Sequence, residues 1–168
     1  PSLSRSTSTV SLAQLMTPST DIPFFLPGEV ALIGAGPGDP ELLTLKAVKY
    51  LRQADLVLVD DLVNPAILDY CHPQARIIPV GKRGGCQSTP QSFIEKIMSR
   101  AALSGLRVAR LKGGDPLIFG RAGEEIEALQ SQNIPVTVIN GISAGFAGAA
   151  AFGVSLTHRH HSPGVIFV

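Results

Sequence analysis

Apolar residues come in short blocks separated by glycine, proline and charge. Residues 30–33 form an apolar run closed by glycines, the pattern of a buried strand. Residues 41–52 place Leu43, Ala47 and Leu51 at helical spacing, with Leu45 and Val48 widening the stripe, and predict an amphipathic helix. Leu56–Val59 reads as a second strand, Pro65–Tyr70 as a short helix and residues 76–80 as a third strand. Ser88, Thr89 and Pro90 open a helix, with proline suited to its first position, that runs to about Ser104 and stops at Gly105. Residues 107–111 are a fourth strand, 123–130 a helix, 135–139 a fifth strand and 143–151 a helix of small residues. Residues 164–168 read as a strand with neither partner nor terminal turn, so a further segment is expected beyond them. Strands alternating with helices predict an α/β fold, a mostly parallel sheet with helices on both faces.

Composition narrows the function classes. With 45% hydrophobic and 16% charged residues, general disorder is excluded. A net charge of +1 provides no global steering toward nucleic acid or a membrane surface. Few aromatics and no Trp argue against a base-stacking platform. Two cysteines, Cys71 and Cys86, are too few for a disulfide framework and point to a reducing compartment, the cytoplasm. No apolar run approaches the roughly 20 residues of a membrane span, and no secretory pattern stands at the start. Residues 1–27 are rich in Ser and Thr with one acid, Asp21, and read as a flexible tail or linker. A transit peptide or the end of an upstream domain are the alternatives there.

Three glycine-bearing loops follow predicted strands. The first, GAGPGD at 34–39, departs from a dinucleotide fingerprint because Asp39 stands where the third glycine belongs and Pro37 lacks a donor. It lacks the Gly-Lys-Ser/Thr ending of a phosphate loop as well. A tight strand-to-helix turn and a ligand loop both remain open for it. The second, KGGDPLIFGRAGEE at 112–125, exposes backbone at Gly113 and Gly114, with Asp115 as an acceptor and Pro116 stiffening the exit. The third is NGISAG at 140–145. All three should emerge at the carboxyl edge of a parallel sheet, where open α/β folds bind ligands. Three loops at one edge favour a small-molecule site.

The segments GAGPGDPELLTLKA, LVLVDDLV, VGKRGG, RLKGGDPLIFGRAGEE and SLTHR, in this order, resemble the tetrapyrrole methylase family, and within it the enzymes that act on uroporphyrinogen III. The match covers residue 28 to the end; its first motif is shared widely in the family, and the long GGDP stretch with LTHR is the more specific. The resemblance implies a homodimer of two-domain subunits, with S-adenosylmethionine (SAM) held between the domains. It implies methylation of uroporphyrinogen III at C2 and C7 to precorrin-2, a precursor of siroheme and cobalamin, with S-adenosylhomocysteine as the other product. On this reading residues 28–140 are the N-terminal α/β domain. Residues 141–168 are then a connector and the start of a second domain that this chain largely lacks.

By the same resemblance Pro37, Gly113, Gly114, Asp115, Ile118, Ser143 and Ala144 match SAM-contacting positions. Asp60 matches a proton acceptor and Lys82 a proton donor. Their bland alternatives are packing for Ile118 and Ala144, a strand-end cap for Asp60 and a solvated lysine for Lys82. The substrate is a polycarboxylate, so basic residues should line its pocket, and Arg83, Arg121 and Arg159 are candidates beside Lys82. Ordinary surface charge is the alternative for each. His158, His160 and His161 lack a carboxylate or cysteine at ligand spacing, so no metal is expected; Cys71 and His72 read as structural. Asn140 stands where the family usually has proline. Two rivals to the main reading are a methylase of a later corrin precursor and an inactive SAM-binding or dimerisation module.

Overall fold

The computed structural model describes residues 24–81 and 89–168. Among the described residues, five strands, β1 (Val30–Gly34), β2 (Leu56–Val59), β3 (Arg76–Pro79), β4 (Val108–Lys112) and β5 (Val136–Ile139), form one sheet in the order β3-β2-β4-β1-β5. Every pairing is parallel, with Val30 level with Val108 on one side and Val136 on the other. The described residues also form the helices α1 (Leu45–Leu51), α2 (Gln91–Leu103), α3 (Ala122–Gln130) and α4 (Ala144–Ala151). Short 3-10 turns cover Pro40–Leu42 and Pro65–Tyr70. Among the described residues no helix is long and apolar enough to cross a membrane.

The central strands β1 and β2 are apolar throughout, and β4 is so except for Arg110 and Lys112, because both faces of the sheet are covered. Alternation divides their side chains into two cores. Ala31, Ile33, Val57, Val59, Ala109 and Leu111 pack with Ala47, Tyr50 and Leu51 of α1 and with Ile67. Val30, Leu32, Leu56, Leu58 and Val108 pack with Ile94, Met98 and Ala102 of α2 and Leu129 of α3. Trimming Leu32 or Leu58 to alanine in such a site costs about 2–5 kcal/mol.

The first helix starts later than residue 41. Asp39 accepts a bond from the Glu41 amide and closes the 3-10 turn, Leu43 is extended, and the Thr44 hydroxyl caps the Ala47 amide. Capping side chains, rather than the apolar stripe, set this start. The register then directs Ala47, Tyr50 and Leu51 inward and leaves Leu45 83% exposed. On α2, Pro90 is the cap rather than the first helical residue; Ser88 lies outside the described residues.

The stretch read as a tail, 1–27, ends inside the fold. Phe25 is fully buried against Tyr50, with ring centroids 4.8 Å apart, and its carbonyl accepts a 2.9 Å bond from Arg107 Nε. At the other end, residues 164–168 form no strand. Phe167 packs instead edge-on against Phe146 of α4, at 5.1 Å, since an aromatic pair gives an unpaired apolar segment some burial.

Candidate functional site

The three glycine loops leave the carboxyl ends of β4, β1 and β5, which are neighbours in the sheet. They are joined backbone to backbone. Gly36 and Gly114 exchange two hydrogen bonds, 3.1 and 2.7 Å long. A Cβ on Gly34 would lie 2.5 Å from the Gly141 nitrogen, and one on Gly141 would lie 2.1 Å from the Gly114 carbonyl oxygen. Only glycine permits that approach. Asp115 completes the joint: Oδ1 accepts from the Leu117 amide (2.8 Å), and Oδ2 accepts from Asn140 Nδ2 (3.2 Å) and the Gly141 amide (3.1 Å). Asn140 thus adds a side-chain donor that proline lacks.

Two clefts flank this joint. One, of about 510 Å³, is largely apolar and lies among Leu117, Ile118, Gly141, Ile142, Ser143 and Phe146, with Asp115 and Asn140 at its base. Gly114 stands beside it at φ +63°, and a Cβ there would meet only the Ser143 Cα, at 3.9 Å. Ser143 precedes α4 without capping it by its side chain, which leaves the hydroxyl for a ligand. Ala144 is exposed at the start of α4, and Pro37 is half-buried in the first loop. Gly113 is half-buried like Gly114, and close packing restricts it to glycine. Leu62 Cβ would lie 2.7 Å from a Cβ at that position, so the vacant space belongs to a neighbouring side chain.

The second cleft, of about 390 Å³, is the more polar of the two: Asp60, Asp61, Gln91, Arg110, Lys112 and Arg121 line it together with Leu62, Val80, Ile94 and Phe119. Asp60 follows β2, with Oδ1 on the Asp61 amide (3.1 Å) and Oδ2 on Arg110 Nη2 (3.4 Å). Arg121 precedes α3 in the left-handed conformation, φ 53°, and grips Glu124 by two bonds of 2.9 and 2.6 Å. That pair raises the guanidinium and lowers the carboxyl from their ordinary values, mainly through the shared hydrogen bonds. Phe119 shares φ 53°, so two non-glycine residues two apart hold costly backbone at the cleft mouth.

Lys82 and Arg83 lie outside the described residues. Arg159 is exposed in a turn closed by His158 and Ser162, and lines neither cleft. The imidazoles of His158 and His161 stack at 4.6 Å, yet among the described residues no group of three His, Cys, Asp or Glu is placed to hold a metal ion. Burial, with Asp69 nearby, pushes the Cys71 thiol up to about 11, which makes it unreactive at neutral pH.

Motif reading missed what supports the polar cleft. Arg110 and Lys112 alternate with Ala109 and Leu111 on β4, so both basic side chains leave from the covered α2/α3 face of the sheet. There they meet Glu125 of α3, which is fully buried. Glu125 Oε1 accepts from Arg110 Nε (3.2 Å) and Gln91 Nε2 (3.1 Å), and Oε2 from Lys112 Nζ (3.0 Å). Burial, and then repulsion from Arg110, lower the Lys112 ammonium from its ordinary value against the opposing pull of Glu125. The signal was available in VARLK: two basic residues on one face of a covered strand require a buried acid.

A model of the tetrapyrrole (corrin/porphyrin) methylases matches residues 29–166. The uroporphyrinogen-III C-methyltransferase of Pseudomonas aeruginosa is 62% identical over 84% of this chain and 57% of its own length. Among solved structures, a uroporphyrin-III C-methyltransferase from Thermus thermophilus superposes with a TM-score of 0.70 at 44% identity, over 79% of this chain and 56% of that one. A Thermus thermophilus enzyme of the same name, complexed with S-adenosylhomocysteine, gives 0.65 at 41% identity over 81% and 53%. The chain spans a little over half the length of these relatives.

Proposed function

The chain belongs to the tetrapyrrole (corrin/porphyrin) methylase family, and on that premise we propose that it contributes the N-terminal α/β half of a SAM-dependent C-methyltransferase. Its substrate is uroporphyrinogen III, methylated at C2 and C7 to precorrin-2. The observation that carries this reading is the pair of unlike clefts on the two sides of residues 112–115. The names of the relatives supply the substrate, and the relative complexed with S-adenosylhomocysteine supplies the methyl donor class.

The apolar cleft suits SAM. Ile118, Ile142 and Phe146 offer walls for an adenosine moiety, the Ser143 hydroxyl offers a polar contact, and Gly114 leaves space for close backbone approach. SAM bound there supplies an electrophilic methyl group on a sulfonium. The residues' task is alignment: donor methyl and acceptor carbon must be held about 3–3.5 Å apart and in line with the departing sulfur. The loop joint provides the rigidity for that task. The methylated macrocycle must then lose a proton. Asp60 is the acceptor on this reading and Lys82 the donor; a proton that Lys82 delivers to one ring position is matched by a second proton lost from another, so that the macrocycle loses one proton net for each methyl group it gains. Arg121 and Arg83 receive substrate carboxylates, Arg121 by exchanging Glu124 for one of them. Arg159 is a substrate contact only in a second domain's company. Residues 141–168 then act as a connector, and the working unit is a homodimer of two-domain subunits.

Transfer of a labelled methyl group from SAM to uroporphyrinogen III tests the reading in a full-length polypeptide carrying this chain. No transfer overturns it; transfer only to a later corrin precursor replaces the substrate. Calorimetry with S-adenosylhomocysteine tests the two-domain cleft. The full-length protein should bind tightly and this chain weakly; equal tight binding removes the second domain from the site.

A further inference from the structure

The buried acid beneath the polar cleft does more than neutralise charge. Arg110 lies level with Leu58 of β2, two residues before Asp60, and its side chain must reach along the sheet toward the cleft. A guanidinium directs its donors in a fixed planar fork. Here three nitrogens are used in three directions: Nε on Glu125 Oε1 (3.2 Å), Nη1 on the Leu111 carbonyl (3.3 Å) and Nη2 on Asp60 Oδ2 (3.4 Å). Glu125 is wholly buried and is itself held from two further sides by Gln91 and Lys112. The guanidinium is therefore anchored at its buried end and presents its free end to Asp60. Charge alone requires an anion near Arg110 and Lys112. It does not require the remaining arginine nitrogen to be aimed at the cleft carboxylate.

We infer that Glu125 is a positioning residue for Asp60, acting through Arg110; the inference rests on the methyl-transfer reading, in which Asp60 takes the proton. The Arg110–Asp60 contact is the longest in the chain of bonds, so it is the one that a displaced guanidinium loses first.

The test uses a full-length polypeptide carrying this chain. Glu125→Met combined with Lys112→Met removes both the anchor and the cation it neutralises, so the buried charge stays balanced. The effect is measured in the parent and in Asp60→Asn. With SAM affinity unchanged, kcat should fall about 10- to 100-fold in the parent, the size expected of a misplacement near 1 Å. In Asp60→Asn the same change should cost less than about threefold, because groups acting as a unit are not additive. Glu125→Gln with Lys112→Met returns an acceptor to Arg110 Nε and should recover most of the rate. Equal losses in both backgrounds overturn the inference. A crystal structure of the Met/Met variant decides the geometry without turnover. Arg110 Nη2 should leave Asp60, and an unmoved pair overturns the inference. A parent that transfers no methyl group defeats the functional reading instead, and the crystallographic result still decides whether Glu125 positions Arg110.

Discussion

The two clefts at the carboxyl edge are built from different materials. The apolar one is shaped by backbone: three glycine loops packed against one another, with Asp115 tying the second to the third. The polar one is shaped by long side chains whose charges are met from beneath, Glu125 under Arg110 and Lys112. Backbone packing tolerates almost no added atom. An ion network tolerates geometric change but penalises loss of a single partner, because the remaining charge stays buried. The first cleft should therefore fail by sterics, and the second by misplaced charge.

Gly141→Val should break the comparison most violently. Its side chain would meet the Gly114 carbonyl oxygen and the Gly34 backbone, neither of which can rotate away. A loss of about 3 kcal/mol or more is expected from such overpacking, read by denaturant unfolding of this chain. A near-native midpoint would show that the loops are not packed as one body. Asp60→Asn should cost little stability, because Arg110 keeps Glu125 and the amide oxygen can still accept from Nη2; it should leave SAM affinity in place and lower the methyl-transfer rate by about 10²–10⁴-fold if proton loss limits turnover. Single-turnover kinetics at saturating SAM reads this, and a wild-type rate would reduce Asp60 to a strand-end cap.

Gly114→Val probes the boundary between the two materials. The left-handed backbone costs a side chain about 1–2 kcal/mol, but the space beside it is open toward the cleft. SAM affinity in the full-length protein should fall about tenfold or more, roughly 1.4 kcal/mol, while the loss of folding stability stays within that backbone cost of about 1–2 kcal/mol. Unfolding without weakened binding would place Gly114 with Gly141, as a packing glycine only.

The apolar cleft was legible in the sequence because glycine, proline and aspartate are punctuation with local meaning. GAGPGD, KGGDP and NGISAG each follow an apolar run, and alternation of strand and helix put them at one edge. What glycine spacing does not reveal is which side of the backbone is vacant. Gly113 and Gly114 are adjacent, yet one faces Leu62 and the other the cleft. Helix α1 starts later than its apolar stripe because Asp39 and Thr44 cap locally, a preference that the stripe does not record. Phe25 lies in a stretch that reads as a tail because its partners, Tyr50 and Arg107, are distant in sequence. The ion network was hidden for the same reason: Arg110 and Glu125 meet only once β4 and α3 are packed.

The smallest effect separates the two clefts by pH. Lys112 is buried, and its ammonium lies below its ordinary value of 10.5 chiefly because of that burial. The unfolded chain therefore holds this proton more firmly than the folded one. Below the folded value the lysine is charged in both states, and the penalty on folding is complete. As pH rises from the folded value toward 10.5 the penalty disappears, so this lysine makes stability increase with pH over that interval. Its contribution to the slope is at most about 1.4 kcal/mol per pH unit, the limit for one proton. Glu125, Arg110 and Asp60 all face this lysine, and the attraction to Glu125 and Asp60 reduces the effect without reversing it. Lys112→Met removes the term while Glu125 keeps Gln91 and Arg110 as donors. Unfolding curves of parent and variant, compared from neutral pH to 10.5, should diverge in slope, the parent gaining stability relative to the variant as pH rises. Gly114→Val should show the parent's slope, since it keeps Lys112 and the charged groups that face it. Parallel curves for parent and Lys112→Met would mean that the ion pair with Glu125 fully offsets burial. The polar cleft would then rest on a network as indifferent to pH as the glycine joint beside it.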